Sequence, residues 1–170
     1  MNKVLGVVAV FTLALLCAQS AMAGEPRLIG SHGDWSAYVF IEDGNKVCYM
    51  ASQPKKAEGK YSSRDEIFAL VTHRPAEGTK NVFSYITGYS YKPGGDATIT
   101  IDGSRNVLFT QDDTAWAPDA ETDSVLADKI RSGSKMVVEG TSSRGTLTKD
   151  TFGLKGSGKA HDAISKECGV

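Results

Sequence analysis

Short runs of β-branched and aromatic residues, each bounded by residues that favour turns, follow one another along this sequence from residue 35 onward. Such runs predict β-strands, because these side chains fit a pleated, half-buried surface. Asp43-Gly44 and Asp102-Gly103 each stand between two apolar runs, a pattern typical of hairpin turns. The predicted strands cover residues 35–41, 47–51, 66–73, 82–89, 97–101, 106–110, 135–141 and 146–154. About eight strands predict a mostly β fold, either an antiparallel β-sandwich or a barrel-like sandwich.

Two short α-helices are predicted to accompany these strands. The segment 122–131 can be capped by Thr122 or Asp123 at its start and by Gly133 at its end. A second helix is predicted over residues 159–166, where small and apolar residues recur at helical spacing.

The N-terminal segment 1–23 has the pattern of a cleavable secretory signal peptide. Lys3 supplies a positive charge, and residues 4–17 form an apolar run that is shorter than the ~20 residues of a membrane-spanning helix. Residues 21–23 read Ala-Met-Ala, the small-x-small pattern that precedes a cleavage site. We therefore expect export, with one β-rich domain over residues 24–170 and no stable membrane span after cleavage.

Two alternatives to cleavage after Ala23 are a retained membrane anchor and a lipoprotein attached at Cys17. The second is disfavoured because Leu16 stands where a lipoprotein signal needs a small residue. The whole chain has 19 basic and 20 acidic residues, for a net charge of −1, so its charge gives no reason to expect nucleic acid as a partner.

Cys48 and Cys168 are the two cysteines left once the signal peptide is removed. An even pair in an exported domain predicts a disulfide bond. Two separate buried thiols are the alternative. A metal site is less favoured, because two thiolates without a nearby histidine pair cannot complete a tetrahedral zinc shell.

No motif of the sequence predicts a catalytic, metal or cofactor site. The segment 153–160 matches the start of a phosphate-binding loop, but Ala160 stands where serine or threonine should hold magnesium. We expect its glycines to serve a tight turn instead. An acidic cluster could bind calcium but lacks the glycine and final glutamate of an EF-hand loop. Its members are Asp112, Asp113, Asp119, Glu121 and Asp123.

A binding surface is the remaining site hypothesis. Tyr85, Tyr89 and Tyr91 share one face if the strand over 82–89 continues, and packing in the core is the alternative reading. The segment 55–64 is predicted to be an exposed basic loop that contains Tyr61. Its cationic residues, which suit an anionic glycan or lipid headgroup, are Lys55, Lys56, Lys60 and Arg64.

Three passages resemble the invasion-associated locus B family of exported proteins from Gram-negative bacteria. The first joins Trp35-Ser36 to residues 46–53, and the second is 125–136. The third is 152–156, which runs on to Ala160, Ile164 and Cys168. Two features differ from the family, whose members often carry further cysteines where this chain has Tyr38-Val39 and 116–121. The resemblance implies a β-sandwich in the periplasm or at the outer envelope, and it implies no catalytic residues.

Three functions are compatible with these patterns. The first is a non-enzymatic envelope protein that binds another protein or an envelope component. The second is a small-ligand carrier in the periplasm. The third is a hydrolase assembled in space from a serine and one of His32, His73 or His161, which requires a histidine within hydrogen-bond reach of both a serine and an acid.

Overall fold

The computed structural model describes residues 24–170, so the predicted signal peptide of residues 1–23 lies outside the described residues. In chain order the strands are β1 (Arg27–His32), β2 (Trp35–Glu42), β3 (Asn45–Ser52), β4 (Lys56–Gly59), β5 (Phe68–Arg74), β6 (Thr79–Ile86), β7 (Ala97–Ile101), β8 (Ser104–Gln111), β9 (Thr114–Trp116), β10 (Lys135–Thr141) and β11 (Leu147–Gly153). The helices are α1 (Ala120–Ser132) and α2 (Ser157–Cys168), and one 3₁₀ turn spans Pro75–Glu77.

The eleven strands form one antiparallel sheet in the order β1-β2-β3-β5-β6-β9-β8-β7-β10-β11-β4. Strand β8 divides this sheet into two halves, because its residues 104–108 pair with β7 and its residues 109–111 pair with β9. The first half contains β1, β2, β3, β5, β6 and β9, and the second half contains β7, β10, β11 and β4. The edge strands β1 and β4 do not pair with each other, so the sheet stays open.

The two halves face each other across a common core. The ring of Tyr85 in the first half packs edge-on against Phe152 in the second, with centroids 6.1 Å apart. The indole N–H of Trp35 donates a hydrogen bond of 3.0 Å to the carbonyl oxygen of Gly153. Strands β2, β5 and β7 alternate between buried and partly exposed residues, as expected when one face of a strand packs inward. The antiparallel sandwich predicted from the sequence is confirmed.

Both hairpin turns predicted at Asp-Gly pairs are confirmed. Asp43 and Gly44 have φ values of 50° and 78°, and Asp102 and Gly103 have values of 45° and 88°. Positive φ at both central residues is typical of the two-residue turns whose twist matches that of the flanking strands.

The predicted helices are present but start earlier than expected. Helix α1 is capped by Asp119, which accepts a hydrogen bond of 2.7 Å from the backbone N–H of Thr122. Asp123 is buried in the first turn and accepts from the backbone N–H of Phe83 at 2.7 Å. In the part of the chain that the structure describes, neither helix is long and apolar enough to cross a membrane.

The expectation of an exposed basic loop over 55–64 is wrong in two respects. Residues Lys56–Gly59 form β4, an edge strand paired with β11. The side chain of Arg64 is 3% exposed, because a buried carboxylate compensates its charge. The structure also contains strands β1 and β9, which the sequence patterns do not predict; β9 has only three residues, too few for a periodic pattern.

Candidate functional site

A polar cleft of about 380 Å³ opens where three connecting segments, 60–65, 88–90 and 142–148, come together. Its cationic side chains are Lys60 and Arg144, with Arg64 deeper inside, and Asp65 supplies a carboxylate. Most other lining residues carry hydroxyl groups: Tyr61, Ser62, Ser63, Tyr89, Ser90, Ser142, Ser143, Thr146 and Thr148. The cleft therefore offers many short hydrogen-bonding groups and a local excess of positive charge.

Arg64 is held by a buried carboxylate and by neutral oxygens. Its Nη1 and Nη2 donate to the two oxygens of Asp150 at 2.8 and 2.6 Å, and Nη2 also donates to the hydroxyl of Tyr85 at 3.0 Å. Its Nε donates to the carbonyl oxygen of Thr87. Burial disfavours the charge, but the hydrogen bonds and charge of Asp150 outweigh burial and raise the pKa of Arg64. This arginine is a structural cation whose donors are largely satisfied within the protein.

The guanidinium group of Arg64 also positions two aromatic rings of the cleft. It lies 4.9 Å from the ring centroid of Tyr89 and 5.5 Å from that of Tyr61, within the range of cation–π attraction. The hydroxyl of Tyr89 is hydrogen-bonded to Oγ1 of Thr148 at 2.7 Å. These contacts fix the Tyr89 ring as one wall of the cleft.

The three tyrosines predicted to share a strand face are not equivalent. Strand β6 ends at Ile86, so its two-residue period does not extend to Tyr89 and Tyr91. Tyr85 and Tyr91 are only 1% and 5% exposed, and the expectation that they form an open surface is wrong. Tyr89 is half-buried and lines the cleft.

Lys55 and Lys56, the two cationic residues of the predicted binding surface, lie outside the cleft lining. Both are exposed, and each makes a surface ion pair: Lys55 with Asp34 at 2.6 Å, and Lys56 with Glu58 at 2.7 Å. The structure therefore does not gather these lysines and the tyrosines into one surface.

A closed ring of hydrogen bonds joins α2 to strands β5 and β6; its members are His73, Asn81, His161 and Ser165. The backbone N–H of Asn81 donates to Nδ1 of His73 at 3.0 Å, so this nitrogen is unprotonated. Nε2–H of His73 then donates to Oγ of Ser165 at 3.1 Å. The Ser165 hydroxyl is left to donate to Nδ1 of His161 at 3.4 Å, and Nε2–H of His161 donates to Oδ1 of Asn81 at 2.8 Å.

This ring fits two neutral histidines rather than a proton-transfer site. Burial lowers the pKa of His73 to about 4, with a further contribution from His161. Burial also lowers the pKa of His161, and the nearby charge of Arg131 adds to the effect. Among residues 24–170, no hydrogen bond or ion pair joins a histidine to a carboxylate. The serine–histidine–acid geometry that a hydrolase would require is therefore not assembled there.

Cys48 and Cys168 are joined in a disulfide bond beside this ring, as predicted, with their Cα atoms 6.0 Å apart. Cys48 is the partner of His73 in the register between β3 and β5. The disulfide and the histidine ring thus attach the same end of α2 to neighbouring strands.

The family model described as Invasion associated locus B (IalB) protein matches residues 35–165, from the first residue of β2 into α2. This chain belongs to the IalB family. The resemblance found in the sequence is confirmed, and the matched region includes every strand of the sandwich except β1. Comparison of this IalB-family chain with curated proteins and with solved structures gives no match.

The glycine-rich segment 153–160 of this IalB-family protein serves close packing. Gly156 has a φ of 88°, and a Cβ there would lie 1.9 Å from the carbonyl oxygen of His32. The hydroxyl of Ser157 donates inward to the carbonyl oxygen of Ile130 at 2.6 Å. The acidic cluster is also explained locally by Asp119 and Asp123, and within residues 24–170 no three His, Cys, Asp or Glu side chains are grouped to hold a metal ion.

One position in the sequence of this IalB-family protein points to the buried ion pair beneath the cleft. Asp150 occupies an inward position of β11, between the buried residues Thr148 and Phe152. A carboxylate at such a position requires a buried cationic partner. That requirement predicts an inward-facing arginine or lysine, although it does not identify Arg64 among the candidates.

Proposed function

We propose that this IalB-family protein is an exported, non-enzymatic component of the Gram-negative cell envelope, in the periplasm or at the outer surface. It acts by binding a hydroxyl-rich, negatively charged envelope component in the cleft formed by 60–65, 88–90 and 142–148. The observation that carries the proposal is the lining of this cleft: hydroxyl groups throughout, with Lys60 and Arg144 supplying positive charge.

The size and electrostatics of the cleft favour a sugar or headgroup over an apolar ligand. Its volume of about 380 Å³ lies within the usual range of ~300–1,000 Å³ for small-molecule sites. Because Asp150 neutralises Arg64, the positive charge available to a ligand comes from Lys60 and Arg144, and it exceeds the single negative charge of Asp65. A phosphate or carboxylate group would pair with these two cations, while the serine and threonine hydroxyls bind the polyol part.

Export is supported by the signal-peptide pattern of residues 1–23 and by the Cys48–Cys168 disulfide. Disulfides form and persist in oxidising compartments such as the bacterial periplasm and are rare in the cytosol. Recovery of protein with an intact residue 1–23 segment from the cytosol would contradict this part of the proposal.

The binding test compares two double variants by isothermal titration calorimetry with a phosphorylated disaccharide. Lys60→Gln/Arg144→Gln removes both cations of the cleft, and we expect its Kd to rise at least tenfold, or about 1.4 kcal/mol. The control, Arg105→Gln/Lys149→Gln, removes the same charge from exposed residues outside the cleft lining and should bind like the wild type. Equal weakening of both variants would show that net charge, rather than the cleft, controls binding.

A small-ligand carrier is the second candidate, and the volume of the same cleft favours it. Native mass spectrometry of protein purified from its own host distinguishes the two functions. A carrier retains a bound mass through purification, and Lys60→Gln/Arg144→Gln should release it. Protein with the clean mass of residues 24–170 would favour reversible contact with an envelope component instead.

A further inference from the structure

The second half of α2 is attached to the sheet mainly by polar contacts. Ile164 is its last fully buried residue, and every residue of 165–168 is at least partly exposed. The contacts of this last turn include the hydrogen bond of Ser165 with His73, the disulfide of Cys168 with Cys48, and the bond from Lys46 to the carbonyl oxygen of Glu167. The first turn differs, because Ser157 is fully buried and donates to the carbonyl oxygen of Ile130. Release of the second half alone would therefore uncover few apolar groups.

The ring of His73 accepts a hydrogen bond at an irregularity of the sheet. The register between β5 and β6 shifts between Thr72 and Arg74, where His73 lies. On β6, Asn81 has a φ of 62°, and its backbone N–H donates to Nδ1 of His73 at 3.0 Å. A backbone N–H is always a donor, whereas a hydroxyl can rotate and serve as donor or acceptor. This contact therefore requires that Nδ1 of His73 carries no proton.

The two histidines differ in how they respond to a second proton. In His73 that proton must go to Nδ1, because Nε2–H already donates to Ser165. Two donors, Nδ1–H and the N–H of Asn81, would then face each other, and the bond would be lost. In His161, Nδ1 accepts from the Ser165 hydroxyl, which can rotate to accept instead. Protonation of His73 is therefore the event that breaks the ring.

The charges around the ring also disfavour a positive His73. A cavity of about 300 Å³ opens beside the ring and is lined by Lys80 of β6, Arg131 of α1, Asp162 of α2 and the last residue, Val170. Arg131 is compensated by Asp162 and Asp128, whereas Lys80 takes part in no ion pair within residues 24–170. The other charged groups of the packed elements are already paired: Glu167 with Arg27 and Lys46, and Arg74 with Glu42 and Glu77.

We infer that the histidine ring is an acid-sensitive latch: it holds the second half of α2 on β5 and β6, and protonation of His73 releases that half while the sheet stays closed. The disulfide to Cys48 keeps the released end tethered, and the inward bond of Ser157 fixes the start of the helix. Release is therefore bounded at both ends and reversible, and it makes exposure of Ile164 depend on pH. This inference does not depend on the cleft or on its ligand.

The size of the response follows from the two protonation equilibria of His73. In the latched state, burial, the neighbouring His161 and the charge of Lys80 lower the pKa of His73 to about 4. In the released state it regains the ordinary pKa of about 6.5, so protons bind preferentially to the released state. The latch is therefore intact above about pH 6.5 and weakens as pH falls toward 4. Between pH 7.5 and 5.0 the equilibrium constant for release should rise about 30-fold.

The test is residue-resolved hydrogen exchange of residues 24–170 by NMR at pH 7.5 and 5.0. Rates are expressed as protection factors relative to an unstructured peptide at the same pH. We expect the amides of 165–168 to be less protected than the slowest amides of β7 and β8, and to lose protection about 30-fold at pH 5.0. In His73→Gln, which lacks the titrating ring, their protection should change less than about threefold. The control, His32→Gln, removes the histidine outside the ring and should respond like the wild type.

Two results with the wild type alone would overturn the inference, so it stays testable even if His73→Gln does not fold. One is equal protection of 165–168 and of the slowest amides of β7 and β8 at pH 5.0, which would mean that α2 opens only with the whole domain. The other is protection of 165–168 that does not change between the two pH values. With folded variants, a pH response that persists in His73→Gln, or that His32→Gln abolishes equally, would exclude His73 as the trigger.

Discussion

Arg64 and Asp150 meet between the two halves of the sandwich as a bidentate ion pair, with their side chains 3% and 0% exposed. The pair joins the segment after β4 to an inward position of β11 and lies beneath the cleft. A buried pair of this kind adds little when compared with a well-packed apolar pair, but removal of one partner leaves an uncompensated charge.

Asp150→Asn is therefore expected to lower the free energy of unfolding by about 3–5 kcal/mol. The measurement is urea-induced unfolding followed by tryptophan fluorescence. Lys149→Ala, one residue away, removes an exposed side chain that is 4.0 Å from Glu139 and should cost less than about 1 kcal/mol. Similar losses for the two variants would contradict a special role for the buried pair.

Loss of the Cys48–Cys168 disulfide should destabilise the protein by about 4–5 kcal/mol, because the bond closes a loop with a sequence separation of 120 residues. Cys48→Ala/Cys168→Ala compared with the wild type gives this value by equilibrium unfolding. Dithiothreitol should shift the wild type toward the double variant and leave the variant unchanged. An unchanged unfolding midpoint after verified reduction would show that the bond contributes nothing.

Acid should weaken the histidine ring. The pKa of His73 is lowered to about 4, mainly by burial, whereas an unfolded histidine has a pKa of about 6.5. The unfolded state therefore binds the proton first, and stability falls as pH decreases from about 6.5 to about 4, by up to about 3 kcal/mol. Unfolding measured across this range should show a smaller pH dependence in His73→Gln than in the wild type. If the free energy of unfolding varied with pH equally in His73→Gln and in the wild type, the lowered pKa of His73 would not be the cause.

Titration of Asp123 should have the opposite effect on stability to that of His73. Burial raises its pKa to about 6, although the hydrogen bond from Phe83 partly compensates. The native state then holds its proton more tightly than the unfolded state, so stability falls as pH rises from about 4 to about 6. Asp123→Asn keeps an oxygen for the Phe83 N–H without the charge, and should be more stable than the wild type at pH 7.5 by thermal unfolding. A lower melting temperature at that pH would refute this reading.

Two glycine substitutions distinguish the energetic cost of a positive φ from the additional cost of a steric clash. Gly44 and Gly156 both have positive φ, at 78° and 88°. A Cβ at Gly44 would meet no atom within 4 Å, whereas one at Gly156 would lie 1.9 Å from the carbonyl oxygen of His32. Gly44→Ala should cost about 1 kcal/mol, and Gly156→Ala clearly more, by urea unfolding. Equal costs would mean that the contact with His32 relaxes freely.

Much of the fold follows from local sequence patterns. The two Asp-Gly pairs predict both hairpin turns, and the strand predicted over 135–141 has the same bounds as β10. Edge strands are harder to predict: β4 reads Lys-Ala-Glu-Gly, which has no apolar period, and short charged sequences are common at sheet edges, where they discourage pairing with another chain.

The candidate site could be predicted only in part, because it depends on contacts between residues distant in sequence. The sequence predicts a basic surface segment that contains Lys60 and Tyr61, but the pairing of Arg64 with Asp150 joins positions 86 residues apart. The histidine ring likewise brings His73 to Ser165, 92 residues along the chain. Neither pairing leaves a periodic or motif-like pattern, so only the folded topology identifies them.

The position of strand β8 in both halves of the sheet couples their unfolding. Since its residues 104–108 bond to β7 and its residues 109–111 bond to β9, the strand cannot be lost from one half without releasing the other. Cooperative units of a protein are defined by such shared elements. The amide hydrogens of Leu108 and Phe109 should therefore exchange with deuterium only when the entire domain opens, and partial opening should be confined to elements farther from this junction.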